Sequence, residues 1–310
     1  MENNNMHCDP VTGICEVPAV MENRTAVMET IHTQKSSKPV RLLYFTDPIC
    51  SSCWGIEPQM RRLKLEYGDY FDVEYRMGGL LKSWGEYGGS DVGNPTDVAK
   101  HWDEASAHYN MPIDGDVWIE DPLSSSYPPS IGYKAAQMQD AVKAEKFLRR
   151  IKEMVFIEKK NISKWEHLSQ AALDTGLNLE KFRDDFDHDA KELFNEDLEL
   201  ARQFGVRGFP TIFFIDEDDN RFKVYGSKLY EQYESALLKL VPNAVKKIIP
   251  LTVEDYFDSY DTITVQELAD LQNINLPEAK DILENLFLQN KLDKTSSKNG
   301  SLYKQKTILN

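Results

Sequence analysis

The sequence predicts an α/β protein in which a long helical segment interrupts a sheet, followed by a small C-terminal module. Three patterns predict this fold class. Residues 40–77 have the pattern of a strand, a helix and a strand, and residues 211–240 that of two strands and a helix. The residues between about 80 and 205 are mainly helical in pattern. We therefore expect one sheet formed by two distant parts of the chain, with a helical insertion between them.

Size, composition and charge exclude several classes of protein. The 310 residues suggest about two domains, and 41% hydrophobic and 28% charged residues are ordinary for a globular protein. A net charge of −15 disfavours nucleic acid as a partner. The sequence has no apolar run of about 18 residues and no recognisable secretory signal. We therefore expect a cytoplasmic protein without a membrane or nucleic acid partner.

The first strand, helix and strand surround a pair of cysteines. Residues 40–46 are β-branched and aromatic, which predicts a buried strand. Apolar residues at helical spacing predict a helix from about Cys50 to just before Gly68. Residues 71–77 alternate between apolar and polar and predict the next strand. Cys50 and Cys53 are therefore expected at the turn from the first strand into the helix.

The residues after this strand predict the helical insertion and then the second half of the sheet. A short helix is predicted near residues 96–109, and further helices from 130 to 205. Among these, Ser163 and Glu166 have the spacing of a capping box. Residues 211–215 and 221–225 predict paired strands, and residues 229–240 an amphipathic helix.

These patterns divide the chain into three parts. Residues 1–38 are predicted to be a disordered arm, residues 39–245 the domain with the insertion at about 80–205, and residues 246–310 a separate module. Three short helices and a hairpin in the last part predict a winged helix. Because residues 251–310 have six lysines against ten acidic residues, we expect this module to contact protein rather than DNA.

Cys50 and Cys53 have the spacing of a redox-active pair. At a helix start, residues three apart lie on one face, so their sulfur atoms can form a bond. The unpaired N–H groups and the helix dipole are expected to lower the pKa of Cys50, making it the attacking thiol and Cys53 the resolving one. Two alternatives stay open, half of a zinc site that lacks two ligands and a pair of unused thiols.

A second signal precedes the strand at residue 211. In the segment from Gly208 to Thr211, Pro210 has no amide hydrogen to donate, so it suits a cis bond or a strand start. With Phe209, it would leave backbone open to pair with a bound peptide. The alternative is an ordinary proline at the entry to a strand.

Together these residues resemble the DsbA family of thiol–disulfide oxidoreductases, which has a thioredoxin fold with a helical insertion. The segment from Asp47 to Trp54, the insertion and Phe209-Pro210-Thr211 all fit that family. So does Pro58, where thioredoxin-like proteins commonly kink this helix. The resemblance covers about residues 39–242 and implies disulfide exchange with protein substrates, without a cofactor. Trp54 is expected to pack in the core or to contribute to substrate binding beside Cys53.

A narrower resemblance spans nearly the whole chain. The segments at residues 131–139, 144–148 and 179–185 are similar to those of the SpxH-type adaptors of the Clp protease. These adaptors also combine a DsbA-like domain with a C-terminal helical module. The resemblance implies a Clp unfoldase–protease and a client protein as partners, and it does not require a redox reaction.

The N-terminal arm contains a third group of candidate residues. Cys8, Cys15 and His7 could bind a metal ion or form a second disulfide, although three ligands make an incomplete zinc site. Solvated thiols are the simpler interpretation.

Two functional hypotheses thus remain. The first is a cytosolic thiol–disulfide oxidoreductase with Cys50 and Cys53 as a redox-active centre, and the alternative is an SpxH-type protease adaptor.

Overall fold

The structure, a computed structural model, describes the backbone of residues 7–8 and 14–17, and residues 38–86, 93–249 and 252–306 in full. The chain forms two compact units, which interleave along the sequence. We call Met1–Thr46, Gln59–Gly78 and Glu196–Ile248 the sheet unit. We call Asp47–Pro58, Gly79–Asn195 and Ile249–Asn310 the helical unit.

The strands of the described residues are β1 His7–Cys8, β2 Ile14–Val17, β3 Val40–Thr46, β4 Phe71–Met77, β5 Thr211–Asp216, β6 Arg221–Tyr225, β7 Thr262–Thr264, β8 Leu292–Ser297 and β9 Gly300–Gln305. The helices of the same residues are α1 Ser51–Gly55, α2 Glu57–Tyr67, α3 Pro95–Tyr109, α4 Val117–Glu120, α5 Tyr127–Gln139, α6 Ala141–Phe156, α7 Trp165–Asp174, α8 Leu179–Asp187, α9 Ala190–Gln203, α10 Tyr230–Leu240, α11 Val253–Phe257, α12 Val265–Gln272 and α13 Leu276–Leu288.

The sheet unit contains the mixed sheet that the sequence predicted. Its strands lie in the order β1-β2-β6-β5-β3-β4, and β3 pairs in parallel with β4 and antiparallel with β5. Successive residues of β3 and β5 are buried, so both faces of these strands are covered, and their sequences are accordingly mostly apolar. Leu43, Phe45 and Phe213 lie in a core that Leu200 also joins.

Residues 1–38, predicted to be a mostly disordered arm, contain two strands, β1 and β2. These two segments form a hairpin, and β2 pairs antiparallel with β6. The physical reason is that β6 would otherwise present unpaired backbone groups along its outer edge, and the short strand β2 pairs with them. The rest of residues 1–37 lies outside the described residues.

The predicted helix after the cysteines is two helices. Helix α1 ends at Gly55 and α2 begins at Glu57, with Pro58 in its first turn. Proline has no amide hydrogen and clashes with the preceding turn, so a continuous helix is interrupted at this point. The kink that the sequence predicted at Pro58 is thus present.

The helical unit is built around a line of aromatic rings. Trp102 stands between the rings of Phe156 and Trp118, with centroid distances of 4.6 Å and 5.2 Å. Trp84 continues the line beyond Trp118 at 5.9 Å. These contacts fix α3, α4 and the end of α6 against one another, because large buried rings leave few alternative packings.

The C-terminal module belongs to the same compact unit as the insertion and is not a separate body. Its sheet has the order β7-β9-β8. At the tip of its hairpin, the Lys298 ammonium lies 2.8 Å from Asp103 and 2.5 Å from Asp116. The Asn299 amide donates to the carbonyl of Ile113 at 2.8 Å. Helix α3 and the segment that leads from it to α4 therefore hold the hairpin tip.

No helix in the described ranges is long and apolar enough to cross a membrane.

Candidate functional site

Cys50 and Cys53 lie at the N-terminus of α1, as the sequence predicted. Cys50 is the N-cap residue, and its Sγ accepts a hydrogen bond from the backbone N–H of Cys53 at 3.1 Å. Both cysteines are free thiols. Cys50 has 6% of its surface exposed and Cys53 none. This arrangement satisfies one of the amides that a helix start leaves unpaired and brings the two cysteines together.

Burial, and not the helix terminus, dominates the ionisation of Cys50. Desolvation and the neighbouring Cys53 raise the pKa of Cys50 well above its ordinary value, and the charge of Asp47 adds to this rise. The hydrogen bond from the Cys53 amide acts in the opposite direction and is outweighed. The expectation of a lowered pKa is therefore corrected, because the favourable N–H contact is present but the thiolate would lie in a buried environment.

Asp47 stabilises the turn that carries the cysteines through its backbone and its side chain. Its carbonyl accepts from the Cys50 amide at 3.1 Å, and its carboxylate accepts from the amides of Ile49 at 3.0 Å and Leu80 at 2.7 Å. The Ser126 hydroxyl donates to the same carboxylate at 2.9 Å. Burial raises the pKa of Asp47 to about 6, in spite of these hydrogen bonds. The turn is thus built on a fully buried acid that titrates close to neutral pH.

The serine pair between the cysteines is also held in place. Ser51 is buried, and the Ser52 hydroxyl accepts a hydrogen bond from the Tyr109 hydroxyl at 3.0 Å. The Tyr109 ring covers Gly55, where a Cβ atom would lie 2.4 Å from the ring. Helix α3 therefore fixes the first turns of α1, and a glycine at position 55 is needed for the close approach.

Comparisons with known proteins decide the family. The thioredoxin family matches residues 43–235. The ClpXP adapter protein SpxH of Halalkalibacterium halodurans is 30% identical over 308 residues, covering 97% of each chain. The chain belongs to the thioredoxin family, in its DsbA-like, SpxH-type branch. The ClpXP adapter protein SpxH of Bacillus subtilis is 29% identical over 272 residues, covering 86% of this chain and 89% of its own.

Two solved structures agree with this fold. A protein from Nitrosomonas europaea, provisionally described as a protein disulfide isomerase, has a TM-score of 0.55 and 23% identity, covering 66% of this chain and 97% of its own. The cytosolic disulfide reductase DsbM of Pseudomonas aeruginosa has a TM-score of 0.50 and 22% identity, covering 60% of this chain and 89% of its own. At these identities the likeness establishes the DsbA-like fold alone.

The expectation that Trp54 contributes to substrate binding is corrected. In this member of the SpxH-type branch, the Trp54 ring has no exposed surface and stacks on Phe156 at 5.5 Å. Its indole N–H donates to the carbonyl of Pro112 at 3.1 Å. The large ring fills space behind the cysteines, which is the packing alternative that the sequence left open.

Phe209 and Pro210 belong to the sheet unit, whereas Cys50 and Cys53 belong to the helical unit. The Phe209–Pro210 bond is cis, as one interpretation of the sequence predicted. The Phe209 ring lies over Gly78, where a Cβ atom would approach it to 1.9 Å. A role for Phe209 and Pro210 in substrate binding stays a prediction.

The structure describes only the backbone of the N-terminal candidates His7, Cys8 and Cys15. Backbone pairing sets Cys8 opposite Cys15, and His7 opposite Glu16, in the β1–β2 hairpin. Their side chains are not among the described residues, so metal binding by His7, Cys8 and Cys15 stays a prediction. Within the ranges described with side chains, no group of three or more His, Cys, Asp or Glu residues is arranged to hold a metal ion.

Sequence reasoning missed three residues around the cysteine pair. Asp47 belongs to the segment that resembles the DsbA family, but its hydrogen bonds in the cysteine turn were not predicted, although an acid three residues before a Cys-x-x-Cys is a visible signal. Glu267 also has a local signal, because Thr264 and Glu267 form a capping box at the start of α12. Arg149 has none, since its contacts depend on residues that are distant in sequence.

Proposed function

We propose that this protein is an adaptor that delivers a client protein to the Clp protease in the cytoplasm. The proposal rests on how much of this chain each similar protein covers. A relative named ClpXP adapter protein SpxH matches 97% of this chain, including the C-terminal module, whereas the two disulfide-enzyme structures cover 66% and 60%. Disulfide exchange needs only the thioredoxin-like domain, whereas delivery needs surfaces for both a client and an unfoldase.

The way the C-terminal module is anchored supports this role. Besides the hairpin tip, the Arg149 guanidinium of α6 donates to Glu267 of α12 at 2.8 Å and 3.2 Å. Lys146, one turn before, pairs with Asp261 at 3.0 Å. A module fixed at several points presents its outer surface in a constant orientation to the rest of its unit, which lowers the entropy cost of binding a partner.

The outer surface of the module suits a protein partner better than DNA. On α13, Glu278 and Asp281 are exposed, with Lys280 between them. Carboxylates at this position repel a phosphate backbone. The order of helix, strand, two helices and hairpin, with the strand order β7-β9-β8, supports a winged-helix assignment for the module.

Protein half-lives in the source organism test the adaptor role. Pulse-chase labelling would compare cells with the gene, without it, and with the double variant Cys50→Ala/Cys53→Ala. We expect at least one short-lived protein to be stabilised severalfold by the deletion and restored to rapid turnover by both the normal protein and the double variant. Deleting the Clp protease should stabilise the same protein, with no further effect of removing the adaptor.

Either of two results would contradict the adaptor role. One is a proteome whose half-lives do not change on deletion. The other is a client whose turnover changes equally in cells that lack the Clp protease. A client restored by the normal protein but not by the double variant would instead assign turnover to the thiols.

Thiol–disulfide exchange is the second candidate function. It is favoured by the free thiols of Cys50 and Cys53 and by the amide hydrogen bond that Cys50 Sγ accepts. In this reaction the Cys50 thiolate attacks a substrate disulfide and releases one substrate thiolate. Cys53 then attacks the mixed disulfide, so the substrate leaves as a dithiol and Cys50–Cys53 as a disulfide.

A redox titration tests the second function. The protein would be equilibrated in buffers of reduced and oxidised glutathione, alkylated, and analysed by mass. Exchange requires a reversible Cys50–Cys53 disulfide with a midpoint near the cytosolic glutathione poise. A pair that stays reduced in every buffer would leave the thioredoxin fold as a binding scaffold only.

A further inference from the structure

Trp54, the residue after Cys53, is fully buried within the helical unit. One face of its ring stacks on Phe156 at an interplanar angle of 20°, and its N–H donates to Pro112. The guanidinium of Arg149 lies over the ring at 4.3 Å from the centroid. A cation at this distance from an indole face is attracted by the ring quadrupole, more strongly when buried. The turn that carries the cysteines is therefore anchored through Trp54 to Arg149.

Arg149 is in turn held by carboxylates, one of which belongs to the C-terminal module. Its guanidinium pairs with Glu153 at 2.8 Å on its own helix, with Glu57 at 3.9 Å and with Glu267 at 2.8 Å. Glu267 has no exposed surface, and its carboxylate also accepts a hydrogen bond from the Thr264 amide at 2.8 Å. Burial alone would lower the pKa of Arg149, but the carboxylates of Glu267, Glu153 and Glu57 outweigh it and raise the pKa.

The contacts form one continuous series from the module to the cysteines. A buried guanidinium needs its carboxylate partners, because an unpaired charge in this environment is strongly destabilising. Without Glu267, Arg149 loses the carboxylate that accepts hydrogen bonds from both of its terminal nitrogens. Its position over Trp54 then depends on Glu153 and Glu57 alone. The module thus contributes directly to the geometry behind Cys53.

We propose that Arg149 is a positioning residue through which the C-terminal module stabilises the dithiol form of Cys50 and Cys53. The inference rests on the second candidate function, the redox activity of the pair. The conformation held by Trp54 and Arg149 has both cysteines as free thiols, with the Cys53 amide donating to Cys50 Sγ. Contacts that stabilise one of two interconverting forms shift the equilibrium towards it.

The reaction that this equilibrium describes is exchange with glutathione disulfide. The Cys50 thiolate attacks one sulfur of glutathione disulfide, whose S–S bond breaks and releases one glutathione. Cys53 then loses its proton and displaces the second glutathione, so one disulfide is reduced and one is formed. Because coupling between two sites is reciprocal, oxidation of the pair also weakens the attachment of the module.

Four variants test the proposal, each through its dithiol–disulfide equilibrium in glutathione buffers. Arg149→Met keeps the length of the side chain but removes its charge. Glu267→Gln leaves Arg149 and Trp54 unchanged and alters only the module. Arg183→Met is the matched control, since Arg183 of α8 also lies over an indole ring, that of Trp165, at 4.3 Å from the centroid and pairs with Asp187 at 2.6 Å.

We expect Arg149→Met and Glu267→Gln to shift the equilibrium at least threefold towards the disulfide, about 14 mV for a two-electron couple. Arg183→Met should leave the equilibrium at the normal value. Arg149→Lys retains the charge without the planar fork and should give an intermediate shift. Equal midpoints for Glu267→Gln and the unaltered protein would overturn the proposal and leave Arg149 a structural residue.

Hydrogen exchange of the unaltered protein provides a second test that needs no variant to fold. Amides of residues 262–272 should exchange faster in the disulfide form than in the dithiol form. Equal exchange in the two forms would overturn the proposed coupling. Both readouts require neither Clp protease nor client, so they are independent of the adaptor role. A pair that never oxidises would end both this proposal and the second function.

Discussion

The backbone amide of Cys50 donates a hydrogen bond to the carbonyl of Asp47 at 3.1 Å, and the buried Asp47 side chain lies beneath the same turn. The cysteine pair therefore sits on an acid whose charge works against formation of the Cys50 thiolate. Together with burial, this favours the protonated thiol, which suits a binding scaffold more than a rapid thiol catalyst. The contacts of this turn lead to the following predictions.

Replacing Asp47 should make Cys50 more reactive. The negative charge of Asp47 contributes to the raised pKa of Cys50, so Asp47→Asn should increase the thiolate fraction. We expect the rate of alkylation of Cys50 by iodoacetamide near pH 8 to rise about threefold or more, because the thiolate is the reacting species. Peptide mass analysis would separate Cys50 from the other cysteines. Glu104→Gln, an exposed change on α3, is the control, and an equal rate for Asp47→Asn and Glu104→Gln would contradict the prediction.

Asp47 should also make the stability of the fold depend on pH. Burial raises its pKa from 3.8 to about 6 against the hydrogen bonds from Leu80, Ile49 and Ser126 and the charge of Lys152. The folded state therefore binds a proton more tightly than the unfolded chain. The resulting stabilisation is complete below about pH 4 and is lost as the pH rises through 6. The shift corresponds to about 3 kcal/mol.

Urea unfolding of the normal protein and Asp47→Asn between pH 4 and 7 measures this effect. The free energy of unfolding of the normal protein should fall relative to that of the variant, by up to about 3 kcal/mol across the range. The comparison cancels contributions of other groups that titrate equally in both proteins. Parallel curves would show that Asp47 keeps an ordinary pKa in the folded protein.

Gly55→Ala should destabilise the turn through Tyr109. The added Cβ atom would lie 2.4 Å from the ring, so the ring or α1 must move. Overpacking of this kind costs about 1–3 kcal/mol. A double-mutant cycle with Tyr109→Ala, followed by thermal unfolding, isolates the clash, because the alanine at position 55 should cost much less when the ring is absent. An unchanged cost in the Tyr109→Ala background would contradict the assigned clash.

Lys298→Ala should loosen the hairpin tip of the C-terminal module. The Lys298 ammonium pairs with Asp103 and Asp116, and its removal leaves these carboxylates close together without their cation. Because the side chain is 36% exposed, we expect a modest loss of about 1 kcal/mol in the free energy of unfolding. Hydrogen exchange should rise at residues 297–300. Exposed Lys304 on the same hairpin gives the control Lys304→Ala, and equal exchange in both variants would count against the assigned role.

The sequence predicted elements whose signals are local. The apolar run of β3 and β5, the helix break at Pro58 and the position of the cysteine pair each follow from residues within one segment. The capping box predicted at Ser163 and Glu166 was wrong, however. The Ser163 hydroxyl donates to Asn161, and the helix begins only at Trp165.

Tertiary contacts account for what the sequence did not predict. The burial of Trp54 depends on Phe156 and Arg149, which lie about a hundred residues further along the chain. The pKa of Cys50 depends on how much water reaches it, and a helix start alone does not determine that. Likewise, β2 pairs with the edge of β6, a strand far away in sequence, and no local pattern in β2 predicts that partner.

Reconstituted degradation tests the adaptor role most directly. A client identified by its half-life would be incubated with purified Clp unfoldase, Clp protease and ATP, with and without this protein in the normal form and as Cys50→Ala/Cys53→Ala. The account predicts that both forms accelerate degradation of the client at least tenfold at substoichiometric concentration. An equal rate with and without the protein would contradict the adaptor role, and acceleration by the normal form alone would assign delivery to the thiols.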